Sequence, residues 1–177
     1  MDTSQWYHYD VDFVLENKYM IGYSATEFGT NDPVTRGQIV TILYRMTGEP
    51  AVSGRSEFKD VPSGEWYCDA VIWGEKNGIV KGYGDGTFGP NDPVTREQLA
   101  TFLQRYATYM NLDDKPSGSL NSFTDASKVS SWAMDPVKWA VGHGIVNGTT
   151  ETTLSPQDTA TRVQIAAMIH RFKMNIG

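Results

Sequence analysis

The hexapeptide NDPVTR stands at residues 31–36 and again at residues 91–96, so the second occurrence follows the first by 60 residues. The dipeptide Trp-Tyr repeats at the same offset, at residues 6–7 and 66–67, and no gap is needed to hold the register. Self-similarity at a fixed period of this length is typical of repeat architectures. The sequence therefore predicts a chain built from diverged copies of one unit.

A third and more diverged copy follows the second at an offset of 66 residues, at which Thr-Arg of residues 95–96 recurs at residues 161–162. Linkers rich in Gly, Pro, Ser and acidic residues separate the copies. The predicted units are residues 1–47, 58–110 and 123–177, which together form one structural module. A unit of about fifty residues cannot bury enough apolar surface alone, so we expect the three copies to share one core.

Copies two and three open with a Phe-x-Asp motif, at residues 58–60 and 123–125. The counterpart in the first copy would fall before Met1, so we expect a fragment that begins inside its first repeat. The first residues also lack the basic start and apolar core of a signal peptide, and any secretion signal is expected outside this sequence.

Each unit reads as helix, loop and helix, which predicts a mostly α fold. In copy two, apolar residues at helical spacing indicate a first helix from Trp66 to about Asn77, ended by Gly78. A glycine-rich loop follows at residues 81–88. The second helix of every copy begins with Thr-x-x-Gln, a capping box, at residues 35–38, 95–98 and 161–164. Three such units could close into a pseudo-threefold assembly or stack as a short solenoid.

Composition excludes several functions. The 21 acidic and 15 basic residues give a net charge of −6 without long runs of either sign, which argues against a nucleic-acid surface. No apolar stretch is long enough to insert into a membrane. The single Cys68 and the absence of Cys/His ligand spacings predict no metal and no cofactor. The histidines, at residues 8, 143 and 170, occupy unrelated register positions, so we expect no catalytic site and no enzyme.

One arginine lies in the first turn of each second helix, at Arg36, Arg96 and Arg162. A cation there opposes the helix dipole, so its recurrence indicates another role. Guanidinium groups and free backbone N–H groups at a helix start could bind a carboxylate or phosphate. Alternatively, these arginines could form ion pairs with Asp60 or Asp125 of the Phe-x-Asp motifs.

The recurring tryptophans Trp6, Trp66 and Trp132 could stack on sugar rings, but their spacing favours core positions at the start of an amphipathic stripe. Loop glycines such as Gly82 and Gly148 would allow a ligand to approach the backbone closely.

These features together resemble the S-layer homology domain, which occurs as three tandem copies on bacterial surface proteins. Copy two carries the resemblance most fully, with FKDV at residues 58–61, WYCDAV at 66–71, GIVKGYGDGTFGP at 78–90 and VTRE at 94–97. The resemblance implies a helical, three-pronged pseudo-trimer that anchors secreted proteins to the secondary polysaccharide of a Gram-positive cell wall, often through a pyruvylated sugar. The localisation implied is extracellular, in the cell wall or S-layer.

The family's Thr-Arg-Ala-Glu signature lies in the grooves between repeats, and its arginine corresponds to Arg36, Arg96 and Arg162. This sequence departs from the signature by carrying Gln at residues 38, 98 and 164 where the family has Glu. Copy three also has Thr149 at the position of Tyr83. These departures predict that the three grooves are not equivalent.

These features are compatible with two functions, a carbohydrate-binding one and a protein-interaction one. The first is a non-catalytic anchor that binds an anionic wall polysaccharide in its grooves. The second is a protein-interaction or surface-lattice module whose grooves are filled by a partner or by self-association. A glycan hydrolase would need convergent acid and base carboxylates, which the sequence does not indicate.

Overall fold

The computed structural model describes residues 4–177, and within them the chain is helical. The six α-helices are α1 His8–Glu16, α2 Arg36–Met46, α3 Cys68–Lys76, α4 Arg96–Tyr109, α5 Met134–Gly142 and α6 Arg162–Asn175. Short 3-10 helices at Ala126–Lys128 and Ser131–Ala133 precede α5. Each repeat thus contributes a short first helix, a long loop and a second helix, as predicted.

The second helices begin where their capping boxes predict. In α2, the Gln38 backbone N–H donates to Thr35 Oγ1 at 3.3 Å, and the Thr35 N–H donates to Gln38 Oε1 at 2.9 Å. Thr95 caps α4 with the same pair of bonds, and at the start of α6 the Thr161 N–H donates to Gln164 Oε1 at 3.2 Å. These caps satisfy donors that a helix start otherwise leaves without partners.

The first helices begin slightly later than the periodicity indicates. In copy two the helix starts at Cys68, so Trp66 lies in the preceding turn and outside the helix. Ala70 and Trp73 still form the buried stripe. The helix ends before Gly78, which takes the left-handed conformation at φ 72°, and Lys18 adopts φ 59° at the same position in copy one.

Helices pair between repeats. Each second helix packs against the first helix of the following repeat, α2 on α3 and α4 on α5. The last helix α6 packs on α1, which joins the two ends of the chain and closes the ring. The three helix pairs form the prongs of the pseudo-threefold assembly that the family resemblance implies. The contact between α6 and α1 excludes an open solenoid.

A closed ring of three backbone hydrogen bonds lies where the repeats meet. The Val34 N–H donates to the carbonyl of Ala160 at 3.3 Å, Ala160 donates to Val94 at 3.0 Å, and Val94 donates to Val34 at 2.8 Å. All three side chains are fully buried. The segments that enter the second helices therefore meet at one point, from which the three prongs extend.

Candidate ligand-binding grooves

The first-turn arginines hold the loop of the neighbouring repeat. Arg36 donates from Nε to the carbonyl oxygen of Phe88 at 2.8 Å and from Nη2 to that of Lys81 at 3.1 Å. Arg96 and Arg162 make the equivalent pairs of bonds, with Leu154 and Asn147 and with Phe28 and Ile21. Each arginine thus positions the loop that follows the first helix of the next repeat.

The alternative of ion pairs with Asp60 or Asp125 is wrong. Asp60 accepts hydrogen bonds from the backbone N–H groups of Phe88 and Gly89, both at 2.8 Å. Asp125 accepts from the corresponding amides of copy three, also at 2.8 Å. These aspartates hold in place the loop segment whose carbonyl oxygens accept bonds from the arginines. Neither aspartate lines the grooves described below. Their support for the site is indirect.

The expectation that helix-start N–H groups are free for a ligand is also wrong. The Arg36 N–H donates to the carbonyl of Asp92 at 2.9 Å, and the Gly37 N–H donates to that of Pro90 at 2.9 Å. The starts of α4 and α6 are bonded to neighbouring loops in the same pattern. Backbone donors at these positions join repeats together, so charge in the grooves comes from side chains.

The buried arginines carry their charge without a carboxylate partner. None of the ion pairs within residues 4–177 involves Arg36, Arg96 or Arg162. Burial lowers the pKa of all three from its ordinary value, because desolvation disfavours the charged form. Arginine nevertheless stays protonated at neutral pH, because its ordinary pKa lies far above 7. The guanidinium groups are therefore partly desolvated cations, which an anion would stabilise.

Three grooves separate the repeats, and each combines a first-turn arginine of one repeat, a loop and helix of the next, and a tryptophan of the third. Groove I contains Arg162, Gly22, Tyr23, Gln38, Arg45 and Trp66. Groove II contains Arg36, Gly82, Tyr83, Gln98, Arg105 and Trp132. Groove III contains Arg96, Gly148, Thr149, Gln164, Arg171 and Trp6. Because every groove takes residues from all three repeats, one repeat alone cannot form a complete groove.

Each groove contains a second arginine that was not predicted from the sequence to be a site residue. Arg45, Arg105 and Arg171 lie in the later turns of the second helices and line grooves I, II and III. Burial and the nearby charge of Arg36 both lower the pKa of Arg105, so two like charges face groove II. The recurrence of arginine at offsets of 60 and 66 residues was the signal that could have identified this set.

The recurring tryptophans line the grooves, and the interpretation that they are core residues is wrong. Trp6, Trp66 and Trp132 are 65%, 58% and 54% exposed. The tryptophans that fill the core are Trp73 and Trp139, one helical turn or more further along. The exposed indoles leave flat apolar faces at the groove edges.

The loop glycines are required by close packing. A Cβ atom on Gly82 would collide with the carbonyl oxygen of Thr87 and come within 2.5 Å of the Phe58 ring. Gly148 is enclosed in the same way, by carbonyls of its own loop and by the Phe123 ring. These glycines let the loop fold tightly while its backbone lines the groove.

Aromatic contacts distinguish grooves I and II from groove III. Arg36 lies 4.6 Å from the centre of the Tyr83 ring, and Arg162 lies 4.7 Å from that of Tyr23. Thr149 replaces the tyrosine in groove III, beside Arg96. Two grooves therefore hold the arginine by cation–π contact, and the third does not.

The described residues, 4–177, contain no helix long and apolar enough to cross a membrane. Within the same residues, no three His, Cys, Asp or Glu side chains are grouped so that they could hold a metal ion.

The fold defines a closed module of three helix–loop–helix repeats with grooves between them. The sequence profile of the S-layer homology domain matches three segments, residues 1–40, 57–100 and 122–166, which together are more than half of the chain. The chain belongs to the S-layer homology domain family.

Several longer proteins contain a similar region. The chain is 32% identical over 162 residues to an amylopullulanase of Thermoanaerobacterium thermosulfurigenes, covering 91% of this chain and 9% of that protein. It is 32% identical over 158 residues to the surface-layer 125 kDa protein of Lysinibacillus sphaericus, covering 88% and 13%. It is 24% identical over 157 residues to a cellulosome-anchoring protein of Acetivibrio thermocellus, covering 86% and 35%. The chain thus spans about a third or less of the length of these relatives.

Proposed function

We propose that this chain is a non-catalytic anchor that holds its parent protein at the cell surface by binding an anionic secondary cell-wall polysaccharide in its grooves. The observation that carries the proposal is the pairing, in every groove, of two arginines with an exposed tryptophan. The first-turn arginines have no carboxylate partner within residues 4–177. A carboxylate-bearing sugar supplies both the missing anion and a ring for the indole face.

The guanidinium of Arg36 is held in one position before any ligand binds. The Nε and Nη2 atoms of Arg36 are held by loop carbonyls, and Nη1 takes part in none of the hydrogen bonds within residues 4–177. A guanidinium held in this way loses little freedom when it binds an anion. A pyruvate ketal on a sugar would place its carboxylate beside the ring, which fits a groove lined by both an arginine and Trp132. Charge-assisted hydrogen bonds to the carboxylate would be shorter and stronger than neutral ones.

Three grooves on one module fit a polymer. Each groove is open to solvent, so we expect a single contact to be weak. Once one sugar of a polysaccharide is bound, the next contact is intramolecular and benefits from a high effective concentration. Strong attachment can therefore arise from grooves of modest affinity.

The relatives support a cell-surface location for the chain. Their names include a surface-layer protein, a cell surface protein and a cellulosome-anchoring protein. The amylopullulanase matches this chain over only 9% of its length, and the other enzymes among them over 7–16% of theirs. That small share fits an attachment module joined to different catalytic domains.

Co-sedimentation with purified wall polysaccharide tests the proposal. We expect wild-type protein to sediment with native polysaccharide, and less with polysaccharide whose acid-labile ketals have been removed. Arg45→Ala, Arg105→Ala and Arg171→Ala test the grooves one at a time, and Arg55→Ala, in an exposed linker position, removes the same charge elsewhere. Absence of wild-type sedimentation, or equal sedimentation of all groove variants and Arg55→Ala, would contradict the anchor. Self-association of the chain without polysaccharide binding would favour the lattice-assembly alternative.

A further inference from the structure

The three grooves differ in charge at one loop position. Residue 21 is Ile in groove I, residue 81 is Lys in groove II, and residue 147 is Asn in groove III. In each copy the backbone carbonyl of this residue accepts a bond from the buried arginine, so the side chain starts from the same place. Lys81 is exposed and forms none of the ion pairs within residues 4–177. Groove II thus combines three cations, whereas grooves I and III each have two.

The second arginines also differ in how far their charge is compensated. In groove I, Arg45 Nε lies 3.7 Å from Glu49 Oε1, an ion pair four residues apart. The corresponding positions after Arg105 and Arg171 are Tyr109 and Asn175, which carry no negative charge at neutral pH. Groove II therefore has the largest uncompensated positive charge of the three.

The cavities also differ in size, and groove II is again the largest of the three. Groove II encloses about 510 Å³, whereas grooves I and III enclose about 240 and 190 Å³. Groove I is also lined by the apolar side chains of Met20, Ile21 and Ile42. A bulky, highly charged sugar would fit groove II, and a smaller sugar with one charge and an apolar substituent would fit groove I.

We propose that groove II is the principal anion site of the module, and that Lys81 makes it selective for saccharides carrying two negative charges, on one phosphate or on two carboxylates. The inference rests on the proposed function and adds a ranking of the grooves and a ligand class. The arginines recognise an anion by directional, forked hydrogen bonds, whereas a lysine acts as a mobile point charge. Lys81 therefore adds attraction for a second charge without fixing its geometry.

The tryptophans allow each groove to be followed separately. Trp66, Trp132 and Trp6 give indole N–H signals in two-dimensional ¹⁵N NMR that report on grooves I, II and III, and the buried Trp73 and Trp139 serve as internal references. The probes are glucose 6-phosphate and digalacturonic acid as dianions, methyl glucuronide as a monoanion and methyl glucoside as a neutral sugar. Each signal is assigned from its Trp→Phe variant.

For the dianions we expect the Trp132 signal to titrate at a concentration roughly two- to fivefold lower than the Trp66 signal, which is the size of effect of one added exposed ion pair. With the monoanion the difference should fall below about twofold, and the neutral sugar should show no preference. If glucose 6-phosphate alone shows the preference, the second charge must be on a phosphate; if digalacturonic acid alone shows it, two carboxylates are required.

Exchange of the two side chains is the decisive control. Lys81→Ile should bring the Trp132 titration to that of Trp66, and Ile21→Lys should strengthen groove I for dianions by a similar factor. Both positions are exposed, so the amide spectrum of the rest of the chain should stay unchanged. Equal wild-type titrations of Trp66 and Trp132, or exchanges without effect, would overturn the inference while leaving the anchor intact. No indole shift with any anionic probe would contradict the anchor itself.

Discussion

Arg36 Nε donates a hydrogen bond of 2.8 Å to the carbonyl oxygen of Phe88, so a residue of the first repeat holds a loop of the second. The same residue lines groove II. One side chain therefore joins two repeats and also brings positive charge to the proposed ligand site. Stability and binding are therefore coupled at Arg36. Arg105, which lines the same groove, makes only one longer bond to a backbone carbonyl, at 3.4 Å to Ile79, so its contribution to stability should be smaller.

We expect Arg36→Ala to lower the free energy of unfolding by about 2–4 kcal/mol, because it leaves the carbonyls of Phe88 and Lys81 without their buried donor. Arg105→Ala removes one longer bond, from Nη1 to the Ile79 carbonyl at 3.4 Å, so it should cost only about 1 kcal/mol while weakening polysaccharide binding. Urea unfolding and co-sedimentation of both variants measure the two effects. Equal loss of stability in both would show that the second arginine is also structural.

We expect Trp132→Ala to weaken binding and leave stability nearly unchanged, and Trp139→Ala to lower stability. Trp132 is 54% exposed in groove II, so its loss should leave stability nearly unchanged and weaken binding by at least about fivefold. Trp139 is fully buried, so its loss should cost about 3–5 kcal/mol of unfolding free energy. Thermal unfolding and binding of the folded variants provide the comparison. If Trp132→Ala bound the polysaccharide as well as wild type, the Trp132 indole would not contribute to binding.

We expect Gly82→Ala to disrupt groove II selectively, because the new Cβ would meet the Thr87 carbonyl and the Phe58 ring. Forced packing of this kind typically costs about 1–3 kcal/mol. Gly84→Asn is the matched control, since Gly84 has open space around it and asparagine tolerates its positive φ of 89°. Chemical shifts of Trp132 against those of Trp6 and Trp66 would reveal whether the damage stays in one groove.

The carboxylate of Asp125 should make stability depend on pH. Burial raises the pKa of Asp125, but hydrogen bonds from the Leu154 and Ser155 amides outweigh it and hold the pKa below its ordinary value. A pKa lower in the folded than in the unfolded state stabilises the fold above the unfolded value, about 3.9, and this stabilisation is lost as pH falls through the folded value. Asp125→Asn should therefore be less stable than wild type at neutral pH, and the difference should shrink below about pH 4.

Urea unfolding of both proteins between acidic and neutral pH measures this dependence. A difference that stays constant over the whole range would mean that the Asp125 carboxylate does not titrate differently on folding.

Sequence reasoning predicted the features whose physical causes are local. The capping box of Thr35 and Gln38 involves residues three apart, and Gly78 stops its helix through its own backbone conformation. The core position of Trp66 was predicted wrongly, because helical spacing alone does not tell where a helix begins. A start at Cys68 places Trp66 before the helix and exposes it.

The amino-acid sequence by itself determined the three-copy organisation, which the recurring motifs reveal, and the helical class and the starts of the second helices, because their causes lie in residues close together in the chain. Only the tertiary structure decided which helices pair, where the arginines donate and which side chains meet in a groove. Arg162 reaches the carbonyl of Ile21 across 141 positions of sequence, and groove I adds Trp66 from the intervening repeat. Groove I combines residues of the first and last repeats, so it depends on the α6–α1 contact that closes the ring and brings these distant parts of the chain together.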